Sequence, residues 1–141
     1  MVGWLTGLFG KKQNAGSVYT LAKSRGWTFD IVGESNYQTH LQKIAGRKEE
    51  KAKRHYCLAT LAADDGNKFD PLAVMVQING KVVGYLSRDN ARKYRKELSV
   101  LDASLPAAIV EAVIVGGWSG PESEGDFGVK LNLKWPLEFT T

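Results

Sequence analysis

His55 and Cys57 stand two residues apart on an alternating stretch. A strand would point both to one side, and an imidazole beside a thiolate can begin a metal site. Further ligands are lacking, because His40 is the other histidine, Cys57 is the sole cysteine, and no spacing supplies the rest. Cys57 reads better as a small core hydrophobe. Asp64, Asp65 and Asp70 could hold magnesium, yet Asp64-Asp-Gly-Asn67 is also a turn signal. A Walker lysine loop does not occur. Gly116-Gly-Trp-Ser-Gly120 lies between strands and not ahead of a helix, so it is not a phosphate loop either. These residues do not compose a catalytic centre and imply no cofactor. A metal-dependent nuclease using Asp70 is the weakest of the functional readings.

Stacking and charge are better represented. Trp118 sits between Gly117 and Ser119 in a Gly-rich stretch that reads as an exposed, acidic loop. A large ring flanked by small residues there either covers core or meets a partner. The chain carries 19 Lys plus Arg against 15 Asp plus Glu, a formal charge of +4. That weak total conceals structure. Residues 42–56 and 81–98 each hold six bases against two acids, whereas residues 99–141 hold two bases against six acids. If folding unites the two basic segments, they form a phosphate-attracting face; otherwise they are two solvated surfaces.

The elements that must position these residues can be read from pattern. Residues 10–26 are polar and weakly periodic, and residues 1–26 read as an arm or linker. Trp27–Gly33 alternates like a first strand. Asn36–Ala45 follows as a short helix, with Ser35 and Gln38 spaced as a capping box and Gly46 as its stop. His55–Ala62 is a second strand. Leu72–Asn79 and Lys81–Ser87 are two more, joined at Asn79-Gly80, whose tolerance of positive φ suits a type I′ hairpin turn. Ser87 caps a second helix, Arg88–Leu98, with Ala91, Tyr94 and Leu98 on its apolar side. Ala107–Val115 and Phe127–Trp135 complete six strands. A mainly β fold follows, a small closed or nearly closed barrel with two short helices, since closure hides strand edges. The 141 residues suit one domain at 27–135, with 136–141 as a tail.

No apolar run approaches the roughly 18 residues of a membrane span. In Val2–Phe9 the charges Lys11 and Lys12 follow the apolar residues, unlike a signal peptide. With one free thiol, a reducing cytoplasm is the expected compartment.

Asn67-Lys-Phe-Asp-Pro-Leu-Ala-Val74, then Val82-Val-Gly-Tyr-Leu-Ser-Arg88, then Ala91 and Tyr94, resemble the HIRAN domain family. That module stands at the N-terminus of helicase-like transcription factor and related fork-remodelling ATPases, and it also has stand-alone bacterial members. Phe29-Asp-Ile-Val-Gly33 and Tyr37 resemble the family's opening strand and its post-glycine aromatic, so the resemblance covers roughly residues 27–135. It implies a modified OB-like barrel and capture of a single-stranded DNA 3′ end, a DNA-repair role, and a helicase or nuclease as a protein partner. No ATPase motor is present in the chain to carry remodelling itself.

By position, the resemblance places Asn67 and Asp70 at the terminal sugar or base edge and Phe69 in or beneath the pocket wall. Tyr37 falls at a base-contacting aromatic, Arg88 at a phosphate contact and Trp118 at a later stacking ring. Tyr85 and Arg92 belong to the same expected surface. Ser35 and Asn36 stand where the DNA-end-binding relatives carry a basic residue and an aromatic. Chemically, an ionised aspartate accepts hydrogen bonds only, so it can take a free hydroxyl and would repel a phosphate. Asn67 and Asp70 also suit simple capping of the turn before Leu72. The leading expectation is a non-enzymatic single-stranded DNA-binding module. A protein-interaction domain using the Trp118 loop is the alternative.

Overall fold

In the computed structural model, which describes residues 19–140, the alternating segments become a curled, mainly antiparallel sheet with two helices. Its strands are β1 (Tyr19–Thr20), β2 (Phe29–Asp30), β3 (Lys53–Ala63), β4 (Val74–Ile78), β5 (Lys81–Tyr85), β6 (Ala108–Ser119) and β7 (Glu124–Asn132). The helices are α1 (Gln38–Ala45) and α2 (Arg88–Leu101), with a 3-10 turn at Glu34–Asn36 ahead of α1. Six strands follow the order β2-β7-β6-β3-β4-β5, and β1 adds to β6 in parallel beyond the end of β7.

The two ends of that order meet. Val32, just past β2, exchanges two backbone hydrogen bonds of 2.8 Å with Tyr85 at the end of β5. Gly84 permits the approach, because a Cβ there would stand 2.7 Å from both the Val32 carbonyl and the Ile31 side chain. Gly33 then turns the chain away at φ 83°, a left-handed conformation that favours glycine.

Inward positions fill the centre. Ala59 and Leu61 of β3, Val74, Val76 and Ile78 of β4, Val110, Ala112 and Ile114 of β6, and Val129 and Leu131 of β7 are all buried. Helix α1 contributes Leu41, fully buried, whose removal from water is worth about 1.5–3 kcal/mol. Helix α2 contributes Ala91, Tyr94 and Leu98, the stripe expected from their spacing.

Local signals were realised where local chemistry decides. Ser87 caps α2, its Oγ accepting from the Asn90 N–H at 3.2 Å. Asn79 and Gly80 turn the β4–β5 hairpin with φ of 52° and 76°, as a type I′ turn requires.

Three expectations need correction. Ser35 does not cap α1, whose N-cap is Tyr37 without a side-chain bond. Gln38 instead bonds the Glu34 and Phe127 carbonyls and accepts from the Phe127 N–H, tying α1 to β7. Trp118 is not in a loop. It lies within β6, where Gly116 and Gly117, at φ 82° and 71°, keep the strand going through a kink that pairs it with β7. The packed unit is wider than 27–135, because Leu21 and Leu137 belong to the core and β1 joins the sheet. Residues 1–18 of the expected arm, including Val2–Phe9, lie outside the described residues. The six expected strands are the six of the main order, and the two-residue β1 is added to them.

Among the described residues no helix is long and apolar enough to cross a membrane, and no three His, Cys, Asp or Glu side chains cluster as metal ligands.

Candidate nucleic-acid interface

Where Val32 meets Tyr85, the surface opens into a cavity of about 390 Å³. Val32 and Gly33 form one side, Asn36 and Tyr37 the next, the Asn67–Ala73 turn the third, and Tyr85, Leu86 and Arg88 close it. Each wall comes from a different kind of element: a strand continuation, a 3-10 turn, a loop, and the junction of β5 with α2.

The turn between β3 and β4 is built by its own side chains. Asn67 Oδ1 accepts from the Phe69 and Asp70 N–H groups at 2.9 and 3.0 Å, and its Nδ2 donates to Asp64 Oδ2. Asp70 Oδ1 accepts from the Leu72 N–H at 3.0 Å. Both residues therefore do the capping work that their sequence position suggested.

Helix α2 then locks this turn from outside. Arg95 donates to the Leu72 and Ala73 carbonyls at 2.7 and 2.8 Å and pairs with Asp65 at 3.0 Å. Arg88 donates to the Phe69 carbonyl at 2.9 Å. Arg88 and Arg92 flank the second Asp70 oxygen at 3.7 and 3.5 Å, leaving the trio one positive charge in excess. A guanidinium has five N–H donors, so Arg88, largely exposed, keeps most of its donors free for an incoming anion.

The fixed main chain holds Phe69 out into solvent. The residue is 88% exposed, the largest exposure among the big apolar residues described, and it stands on the cavity rim. Opposite, Tyr85 donates its hydroxyl to Asp64 at 3.0 Å. Burial chiefly, with that carboxylate and Tyr37 adding to it, pushes the Tyr85 phenol up to about 12. Tyr37 stacks near His40, whose Nδ1 lies 2.6 Å from the Val82 carbonyl, so α1 is pinned over β5. The walls are thus rigid and polar at the base, with an aromatic and a cation at the mouth.

Asn36, Tyr37, Asn67, Phe69, Asp70, Tyr85 and Arg88 all line this one cavity, although they span more than fifty positions of the chain. Arg92 stands behind it, on Asp70. Ser35 is exposed on the 3-10 turn and does not line it. Neither does Trp118, whose half-buried ring covers Gly125 and whose Nε1 donates to Ser123 Oγ at 3.1 Å. Trp118 is therefore set in a strand beside the largely exposed 120–123 connection and not on that connection itself.

Val32, Gly33, Ala73 and Leu86 complete the lining without having been singled out from the sequence. Only Gly33, placed between an alternating strand and a capping pattern, carried a usable signal. None of the six acids in residues 99–141 lines the cavity. Glu111 pairs with Lys23, and Glu124 and Asp126 pair with Lys48.

Scans against family models, curated proteins and solved structures found no match to this chain, so the residues of the cavity themselves carry the functional reading.

Proposed function

We propose that the chain is a non-catalytic single-stranded DNA-binding module of HIRAN type, built on an OB-like barrel, that seats a strand end in the cavity beside Tyr85. The observation that carries the reading is the pairing of an 88%-exposed Phe69 with a free-armed Arg88 on one rim. An exposed ring on a rigid turn offers a face to a base, at about 1–3 kcal/mol per stacked base. A guanidinium beside it suits the adjoining phosphate. The meeting of Val32 with Tyr85 supports the barrel reading, because it links the two ends of the strand order.

Within that reading Asp70 serves twice. One oxygen holds the turn; the other, between two guanidiniums and 8% exposed as a residue, accepts the terminal hydroxyl. A 3′ phosphate in the same place would meet the carboxylate, so a free end is preferred. Arg92 positions Asp70, while Lys43 and Arg47, exposed on and just after α1, extend the basic surface.

The test is a fluorescence anisotropy titration with short oligonucleotides ending in a free or a phosphorylated 3′ hydroxyl. Binding is expected to weaken with salt at a log–log slope near −0.7 per phosphate contact, and to favour the free end. An affinity indifferent to salt would refute DNA binding. Equal affinity for the two ends would refute the role given to Asp70.

A further inference from the structure

A second surface, away from the cavity, has unmet backbone chemistry. β3 is eleven residues long, but β4 pairs with it only from Thr60 to Ala63. Along Lys53–Ala59 its single strand neighbour among the described residues is β6. The direction of the free groups follows from one bond. Leu21 N–H donates to the Ile109 carbonyl, so Ile109 turns its backbone toward β1 and away from Thr60, its partner on β3. In an antiparallel ladder this alternates. His55, Cys57 and Ala59 therefore bond β6, while Arg54, Tyr56 and Leu58 aim their N–H and C=O groups at the uncovered edge.

The side chains of those three residues are exposed as well. Tyr56 and Leu58 are each 58% exposed, and Arg54 lies over the Tyr56 ring with its Nε donating to the phenol oxygen at 2.9 Å. Trp27 meets the same ring edge-on at 5.5 Å. An apolar strand edge of this kind is a template for another strand.

The local charge says which. Arg47, Lys51 and Arg54 are exposed and form no ion pair among the described residues, against Glu50 alone on the acidic side. On β6, Glu111 is answered by Lys23.

We propose that the Arg54–Leu58 edge of β3 is a docking site for an extended acidic peptide of a partner protein, added to the sheet as a further strand. Backbone bonds to Arg54, Tyr56 and Leu58 would supply affinity, alternate apolar side chains would lie on Tyr56 and Leu58, and acidic residues would meet the bases. A nucleic acid fits worse. The edge alternates donors with carbonyl acceptors, and the carbonyls repel phosphate.

Two short capped peptides test this, one alternating glutamate with valine and one alternating lysine with valine, read by calorimetry and by amide hydrogen exchange. The acidic peptide is expected to bind about tenfold tighter than the basic one. It should slow exchange at the Arg54, Tyr56 and Leu58 amides and leave the cavity turn unchanged. Tyr56→Pro removes an N–H that faces the open edge and spares the β6 ladder, so it should abolish binding in a folded protein. Arg54→Glu alters no backbone group and should reverse the preference between peptides. Four results would overturn the proposal: no binding of the acidic peptide at millimolar concentration, equal binding of both, protection of these amides by an oligonucleotide instead, or their protection by self-association without peptide.

Discussion

Replacing Phe69 with alanine separates folding from binding more cleanly than any other change at the cavity. The main chain at this position is held by its neighbours: Asn67 Oδ1 takes the Phe69 N–H, and Arg88 takes its carbonyl. The residue is 88% exposed and its ring covers no core. Its loss should therefore change stability by less than about 0.5 kcal/mol. If a base stacks on it, binding should weaken by about 1–3 kcal/mol, or roughly 5- to 150-fold in Kd. The assay is anisotropy with a 5′-labelled oligonucleotide bearing a free 3′ end, run beside thermal unfolding of each variant. Phe69→Tyr retains the π face and should bind like the parent. Phe69→Leu retains apolar area without the face and should follow alanine. Unchanged affinity in Phe69→Ala with an unchanged melting temperature would refute the stacking argument. A large fall in melting temperature would show that the ring has a structural role.

Further outcomes follow from other sites. Tyr94 buries its hydroxyl with no hydrogen-bond partner among the described residues, a loss of about 1–3 kcal/mol; Tyr94→Phe should leave stability unchanged or raise it in urea unfolding, and a loss above about 1 kcal/mol would contradict this. Gly125→Ala would drive a Cβ into the Trp118 ring and should lower stability by about 1–3 kcal/mol, read as an earlier melting transition. Tyr85 is raised from 10.0 to about 12 in the fold, so its neutral form is favoured there. Its contribution is present in full below pH 10 and is lost as the pH rises toward 12; Tyr19 and Tyr94 are raised as well, so phenolate absorbance should show a late-titrating fraction that Tyr85→Phe reduces by one tyrosine.

Much of the cavity was legible because its residues are short-range neighbours. Asn67, Phe69 and Asp70 sit in one turn, and Tyr85 and Arg88 bracket the Ser87 cap; turn and capping rules found those local elements, while it was the resemblance to the HIRAN family that grouped the residues as one site. Tyr37 joins them through the Val32 bridge, which depends on Gly84 having no side chain. Where the reading failed, a distant partner had changed the local answer. Gln38 left the capping box because the Phe127 main chain, 89 positions away, offered it both a donor and an acceptor. Trp118 resembled a loop residue because two glycines precede it, yet their positive φ values serve a kinked strand. β1 is two residues long and pairs in parallel, so it has no alternation to detect. Of the two basic segments, the later one lies beside the cavity: Arg88 lines it and Arg92 braces Asp70.

The pair of bonds between Val32 and Tyr85 has a consequence for how the molecule breathes. Among the described residues the two ends of the curled sheet share one rung of two backbone hydrogen bonds, braced by the His40–Val82 contact of α1, so their parting is a local opening at that rung. The cavity straddles that seam, with Val32 and Gly33 on one bank and Tyr85 and Leu86 on the other. A molecule seated across it is a clasp: it binds the state in which the two edges are joined and not the parted one, and so raises the cost of parting them by mass action. The amides of Val32 and Tyr85 are then natural reporters, quick to exchange when the seat is empty and slow when it is filled.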